Sequence, residues 1–171
     1  MERVVVTGMG TVNPLGKNVE QFWKEIQAGT CGIGAITRLQ DMGVEPFLLS
    51  SSIIGVIAQR LVRVLCNDCK EEATADAAEC TILGIDPAQP PQIFHARGCD
   101  KCNQLGYRGR QGIYEIIEVD ETMKTLIHDR AGEQALERHA RTLGPGIQQD
   151  GIRKVLAGST TIEELLRVVK G

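Results

Sequence analysis

Two Cys-x-x-Cys pairs, CNDC at Cys66 to Cys69 and CDKC at Cys99 to Cys102, constrain this chain more than any other feature. Two intervening residues let both sulfurs of a pair turn back toward one point, and 29 residues separate the inner cysteines. Four thiolates at about 2.3 Å satisfy tetrahedral zinc, which has no d-electron preference and accepts soft sulfur. The long connection is tolerable because closure entropy grows only logarithmically with loop length. Cys66, Cys69, Cys99 and Cys102 are therefore the expected ligands of a closed, structural Zn²⁺. Such a centre carries a formal charge of about −2. Lys70, Arg97, Lys101, Arg108 and Arg110 flank the pairs as candidate countercharges, and Gly98 and Gly106 offer backbone freedom at the turns. Free structural thiols, a redox pair and an iron–sulfur cluster are the competing readings. Cys31 and Cys80, outside the pairs, read as ordinary thiols.

The rest of the composition narrows the class of protein. With 171 residues the chain can bury a real core, and its 42% apolar and 24% charged residues are ordinary for a folded protein. A net charge of −3 and 4% aromatics disfavour a nucleic-acid surface, which needs cations for phosphates and rings for bases. No apolar run reaches the roughly 18 to 20 residues that span a bilayer, so no direct membrane insertion is expected. Glu2 and Arg3 lead into a short strand-like run rather than a signal-peptide core. The sequence thus reads as cytoplasmic, where cysteines serve as metal ligands or reduced thiols.

The opening RVVVTGMGTVNPLGKN has a strand running into glycines, but it fails as a phosphate loop. Five residues separate Gly10 from Gly16 where a Walker loop has four, and Asn18 stands where a hydroxyl should ligate magnesium. Asn13 occupies the third glycine position of a dinucleotide fingerprint. A strand over residues 3 to 7 and an amphipathic helix from about Val19 to Ala28 are expected, with Phe22 and Trp23 on its buried face. PFLLSSSIIGVIA suits a buried helix opened by Pro46, and QRLVRVL after it a strand. Pro87, Pro90 and Pro91 point to an irregular segment between the cysteine pairs. GIYEIIEVD, Gly112 to Asp120, alternates like a strand, and the remainder is helical in pattern, interrupted at Gly144, Pro145, Gly146, Gly151 and Gly158. Asp120 and Thr160 are expected N-caps, with Glu163 completing a capping box on Thr160. Glu163 and Glu164 read as caps and solvated faces, and His95, His128 and His139 fall into no hydrolase triad.

Residues from about 41 to 171 resemble the C-terminal part of the type II secretion ATPase, the general secretory pathway protein E. DMGVEPFLLSSS, GVIAQRLVRVLC, the stretch CDKCNQLGYRGRQGIYE with CNDC before it, and DGIRKVLAG carry the resemblance. It implies a tetracysteine zinc module in a hexameric ATPase that powers pseudopilus assembly, cytoplasmic and peripheral to the inner membrane through its partners. Those partners would be ATPase subunits and other secretion components. ATP and Mg²⁺ belong to an intact enzyme of that family; this sequence shows no Walker A loop, acidic boxes or histidine box, and no complete active site. Gln59 and Arg60, in the family's AQRL stretch, are implied to lie near its nucleotide. Residues 1 to about 39 instead resemble the start of a β-ketoacyl-acyl carrier protein synthase, on RVVVTGMGTVNPLGKNVEQFWKEIQAG, which implies a chimera joined near GAITRL. Its alternative functions are a condensing-enzyme fragment or a part that completes an ATPase on assembly.

The expected fold class is α+β, in four pieces. They are a ketosynthase-like strand and helix over 1–39, an ATPase-like helix and strand over 40–65, the tetracysteine module with short strands over 66–119, and a helical C-terminal subdomain over 120–171.

Overall fold

The computed structural model describes residues 33–169. The strand expected over 3 to 7, the helix over 19 to 28, most of the ketosynthase-like stretch and Cys31 lie outside them. In chain order come α1 (Gly34–Asp41), α2 (Pro46–Ser52), β1 (Gly55–Leu65), β2 (Glu71–Thr74), α3 (Ala77–Leu83), β3 (Gln92–His95) and a 3-10 turn (Asp100–Cys102). Then follow β4 (Tyr107–Glu118), α4 (Glu121–His128), α5 (Glu133–Leu143), α6 (Ile147–Leu156) and α7 (Ile162–Val169). The expected α+β class is what forms.

The spine is an antiparallel ribbon of β1 and β4, running from the Gly55 and Glu118 pair to the Leu65 and Tyr107 pair, with one irregularity between Arg63 and Leu65. Because side chains alternate along a strand, Val56, Arg60 and Val62 share the inner face with Ile113, Glu115 and Ile117. Ile57, Leu61, Tyr114 and Ile116 lie on the outer face, exposed. Two hydrophobic cores sit against the inner face at opposite ends. One joins Ile33, Ile36 and Leu49 to Ile117, Val119, Met123, Ile127, Leu136 and Ala140. The other joins Val62 and Ile113 to Ala75, Cys80, Leu83, Ile93, Val155, Ile162 and Leu165. Residues 33 to 39 are thus packed into the same body as the rest, through Ile33 and Ile36.

Several local expectations change. The run PFLLSSSIIGVIA is not one buried helix: α2 ends at Ser52 and β1 has begun by Gly55, with Phe47, Leu48 and Ile54 exposed. The segment between the cysteine pairs is ordered, not irregular. Its strands β2 and β3 pair antiparallel, and α3 between them is opened by a capping box of Asp76 and Glu79 and closed by left-handed Gly84. Gly151 interrupts nothing. It lies inside α6, buried, where an added Cβ would meet Leu165 Cδ1 at 2.1 Å, so it sets the closeness of α6 and α7. Asp120 caps α4 as expected, accepting from the Met123 N–H at 2.7 Å, and is also 2.8 Å from His139 Nε2.

The start of α7 differs most. Thr160 is no cap: its hydroxyl donates to the Arg63 carbonyl at 2.8 Å, while Thr161 Oγ1 accepts from the Glu164 N–H at 3.2 Å. Glu164 is not on a solvated face. It is 1% exposed and accepts from the Arg63 backbone N–H and Nε, each at 2.9 Å, and from Arg167 Nε and Nη2 at 2.8 and 2.6 Å. Arg63 also stacks on the Tyr107 ring, 4.1 Å from its centre. One carboxylate therefore ties α7 to β1 where the ribbon turns irregular.

Burial alone would raise the pKa of Glu164, but Arg167 and Arg63 outweigh it and hold the carboxyl down at about 2. A depressed folded-state value stabilises the fold above the ordinary carboxylate value near 4.5, and that stabilisation is lost as pH falls from there through about 2. Removing one member of a buried, hydrogen-bonded ion cluster is strongly destabilising, so Glu164→Gln should cost about 3 kcal/mol in urea unfolding at pH 7. The difference from wild type should shrink as pH falls through that window.

Candidate metal centre

The ribbon delivers the cysteines. β1 runs directly into Cys66, and β4 begins soon after Cys102, with the Cys66 N–H donating to the Gly106 carbonyl at 2.9 Å. The first pair turns back on itself through the Cys69 and Lys70 N–H groups, which donate to the Cys66 carbonyl. In the second pair the 3-10 turn does the same, with the Cys102 and Gln104 N–H groups donating to the Cys99 carbonyl. Each knuckle thereby aims two sulfurs at one point.

All four sulfurs lie within 4.8 Å of one another. Cys66 and Cys99 are 3.9 Å apart, Cys69 and Cys102 3.8 Å, and Cys99 and Cys102 3.8 Å. A tetrahedron with ligand bonds of about 2.3 Å has edges of about 3.8 Å. The separations match that figure and are far too long for a disulfide, whose sulfurs sit about 2.05 Å apart. The expected ligands therefore form a group that can hold a metal ion.

Of the candidate countercharges, Lys101 interacts electrostatically with Cys99 and Cys66, while Lys70 and Arg97 turn elsewhere. Lys70 donates to the Gly158 carbonyl at 3.1 Å and lies over the Phe94 ring, while Arg97 pairs with Glu71. Lys101 pairs with Asp68, each from the middle of a different knuckle, so this ion pair bridges the two loops. Its hydrogen bond lowers the Asp68 pKa and raises that of Lys101. The sulfurs also receive backbone donors: the Cys99 and Gly106 N–H groups both reach Cys102 Sγ at 3.2 Å. Burial opposes ionisation of Cys102, yet these donors bring it down to about 7. Cys69 is pushed up to about 12 by burial and by its neighbouring sulfurs, against a bond from Gly98. Cys102 is thus readier to ionise than Cys69, and the crowding that opposes a second thiolate is what a cation relieves.

The structure does not gather the other singled-out residues here. Gln59 lies on the outer face of the ribbon, its amide 3.4 Å from the Tyr114 hydroxyl. Arg60 points the opposite way and donates to the Val168 carbonyl at the end of α7. Cys80 is a buried free thiol 3.9 Å from the Ala75 carbonyl. His128 borders a shallow cleft with Ser50, Ser51, Lys124 and Thr125, and His95 faces Glu79 at 3.8 Å. The D-x-x-E signal at Asp76 was available in sequence and marks the helix that carries Glu79.

Residues 29–167 match the model of the family described as type II/IV secretion system protein. The chain is 64% identical over 138 residues to a type II secretion system protein E of Pseudomonas aeruginosa, covering 81% of this chain and 28% of that protein. It is 52% identical to a type II secretion system ATPase E of Vibrio cholerae, with 81% and 27% covered. It is 44% identical to a type IV pilus assembly ATPase of Acinetobacter baylyi, with 79% and 24% covered. The chain therefore spans about a quarter of the length of these relatives. The match begins ten residues before the expected join near residue 39, inside the stretch read as ketosynthase-like.

Gly106 combines a left-handed φ of 76° with a carbonyl and an N–H that both serve the cysteines, and a Cβ there would lie 2.7 Å from the Ala96 Cβ. Gly106→Ala should lower metal affinity about tenfold in a chelator competition, as loss of a supporting contact does. Gly109→Ala, at φ 86° with nothing within 4 Å of the new carbon, should leave that affinity nearly unchanged.

Proposed function

This chain belongs to the type II/IV secretion system protein family, and we propose that it is the zinc-stabilised C-terminal module of a type II secretion ATPase. The observation that carries the metal part is the tetrahedral spacing of four free cysteine sulfurs at the end of the ribbon. Zinc fits better than an iron–sulfur cluster, because several irons would hold four thiolates farther apart than a single ion does. Cys66, Cys69, Cys99 and Cys102 would hold the ion, with no ligand position left for substrate. Its role is to fix the two knuckles, and with them the end of β1 and the start of β4.

Catalysis belongs to the larger assembly. The sequence has no phosphate cradle or magnesium site of its own, so ATP and Mg²⁺ are cofactors of a complete enzyme. Gln59 and Arg60 are proposed to lie near the nucleotide there. On opposite faces of one strand, they would reach it from different sides. Other ATPase subunits and secretion components are the proposed partners, at a cytoplasmic site peripheral to the inner membrane. Among the described residues no helix is long and apolar enough to cross a membrane. A condensing-enzyme fragment is not favoured, because the secretion-family match takes in four fifths of the chain. A join between a ketosynthase-like opening and the secretion-family remainder rests on sequence resemblance alone.

Elemental analysis with intact-mass measurement on the full chain tests the metal. About one zinc per chain is expected, lost in Cys66→Ser and in Cys99→Ser, with chelator lowering the melting temperature of the wild type. Folded protein purified without chelator and free of zinc would overturn the reading. The motor assignment predicts that the chain restores magnesium-dependent ATP hydrolysis to a secretion ATPase truncated before this module. No restoration in a mixture where the two associate would count against it.

A further inference from the structure

A second group of metal-ligating side chains lies outside the tetracysteine centre. Glu79, His95 and Glu163 each offer one ligand atom, and these atoms all lie within 4.8 Å of one another. They come from α3 and β3, and from α7 much later in the chain, which the second core packs together through Cys80, Leu83, Ile93, Ile162 and Leu165. We propose that Glu79, His95 and Glu163 form an open site for a divalent first-row transition cation such as Zn²⁺, which fastens α7 to the segment between the cysteine pairs.

The donor set selects the cation class. Imidazole suits zinc and its first-row neighbours, while two carboxylates alone would favour the harder Mg²⁺ and Ca²⁺. The ligands are also unequally prepared. Glu79 is the third residue of α3, and its Oε2 accepts from the Asp76 N–H at 2.8 Å, which orients the carboxylate. That leaves Oε1 facing His95 Nε2 at 3.8 Å. One ligand is therefore held by an outer hydrogen bond before any ion arrives, as is usual around metal sites. Glu163 is exposed at the first turn of α7 and has no ion-pair partner among the described residues. A cation drawing the three groups inward to about 2.1 Å needs only side-chain movement by Glu163 and a small approach of His95 to Glu79. The remaining positions would be taken by water, which makes this site weaker and more exchangeable than four thiolates.

The site has a distinct structural effect. α7 begins beside Glu163 and ends where the Val168 carbonyl accepts from Arg60 on β1. A cation at its first turn would hold the same helix that the Glu164 cluster anchors to Arg63.

Isothermal titration of the full chain with Zn²⁺ at pH 7.5, after the cysteine centre has been filled, tests the proposal. One further equivalent is expected with a dissociation constant on the order of 10 μM, weakened at least about tenfold in both His95→Ala and Glu163→Gln and unchanged in Glu133→Gln. Mg²⁺ at millimolar concentration should not displace it. Circular dichroism checks that each variant is folded. No further equivalent up to about 1 mM Zn²⁺, or an equivalent that survives both substitutions, would overturn the site. If the cysteine centre holds no zinc, the His95 and Glu163 variants still decide this question, so the two metal readings fail separately.

Discussion

The pairing of β1 with β4 is the interaction on which the rest of the structure depends. Residues about fifty apart in sequence meet along ten of the eleven positions of β1, and every other element is placed relative to that ribbon. Its alternation puts Ile117 in one core and Val62 with Ile113 in the other. A slip of one residue would turn these side chains outward and dismantle both cores together. An isolated two-stranded ribbon is marginal in water, so the pairing must be held from outside. At one end helices α1, α2, α4 and α5 cover it; at the other, four cysteines hold the strand ends in register.

Electrostatics follow the same division. Where chain ends must be clamped, the structure uses backbone donors and a bridging ion pair, as at Cys102 and between Asp68 and Lys101. Where a helix must be anchored to the ribbon, it buries a carboxylate between guanidinium groups, as Glu164 does with Arg63 and Arg167. Glu115 on the inner face is also buried and meets Arg141 of α5. Each of these contacts fixes an orientation that apolar packing alone leaves free to slide.

The sequence displayed the metal centre more clearly than its supports. Cys-x-x-Cys spacing is local, so the convergence of the four cysteines and the turns at Gly98 and Gly106 could be read directly. The countercharges could not, because a lysine next to a cysteine in sequence says nothing about where its long side chain ends. Lys70 turns to Phe94 and Gly158 instead. Glu164 reads as a solvated face in sequence because an acid in the first turn of a helix is usually a solvated response to the dipole; only the tertiary approach of Arg63 makes it a buried anchor. The short strands expected in the tetracysteine module could not be placed between the cysteine pairs, for a different reason. At four residues each, β2 and β3 are too short to show an alternation, and the prolines around Pro90 sit outside them. Gly151 reads as a helix breaker by propensity, while its packing against Leu165 is invisible in sequence.

The excursion from Lys70 to Gly98 leaves the ribbon between two cysteine pairs and comes back to the same four sulfurs. Its two ends therefore leave and rejoin the fold beside the same four sulfurs, which lie within 4.8 Å of one another. Topologically it is a cassette: lengthening, trimming or replacing its outer turn around Pro87 would change the surface presented there without altering the register of β1 against β4. A fold arranged this way can diversify one face through evolution while keeping the geometry of its spine constant.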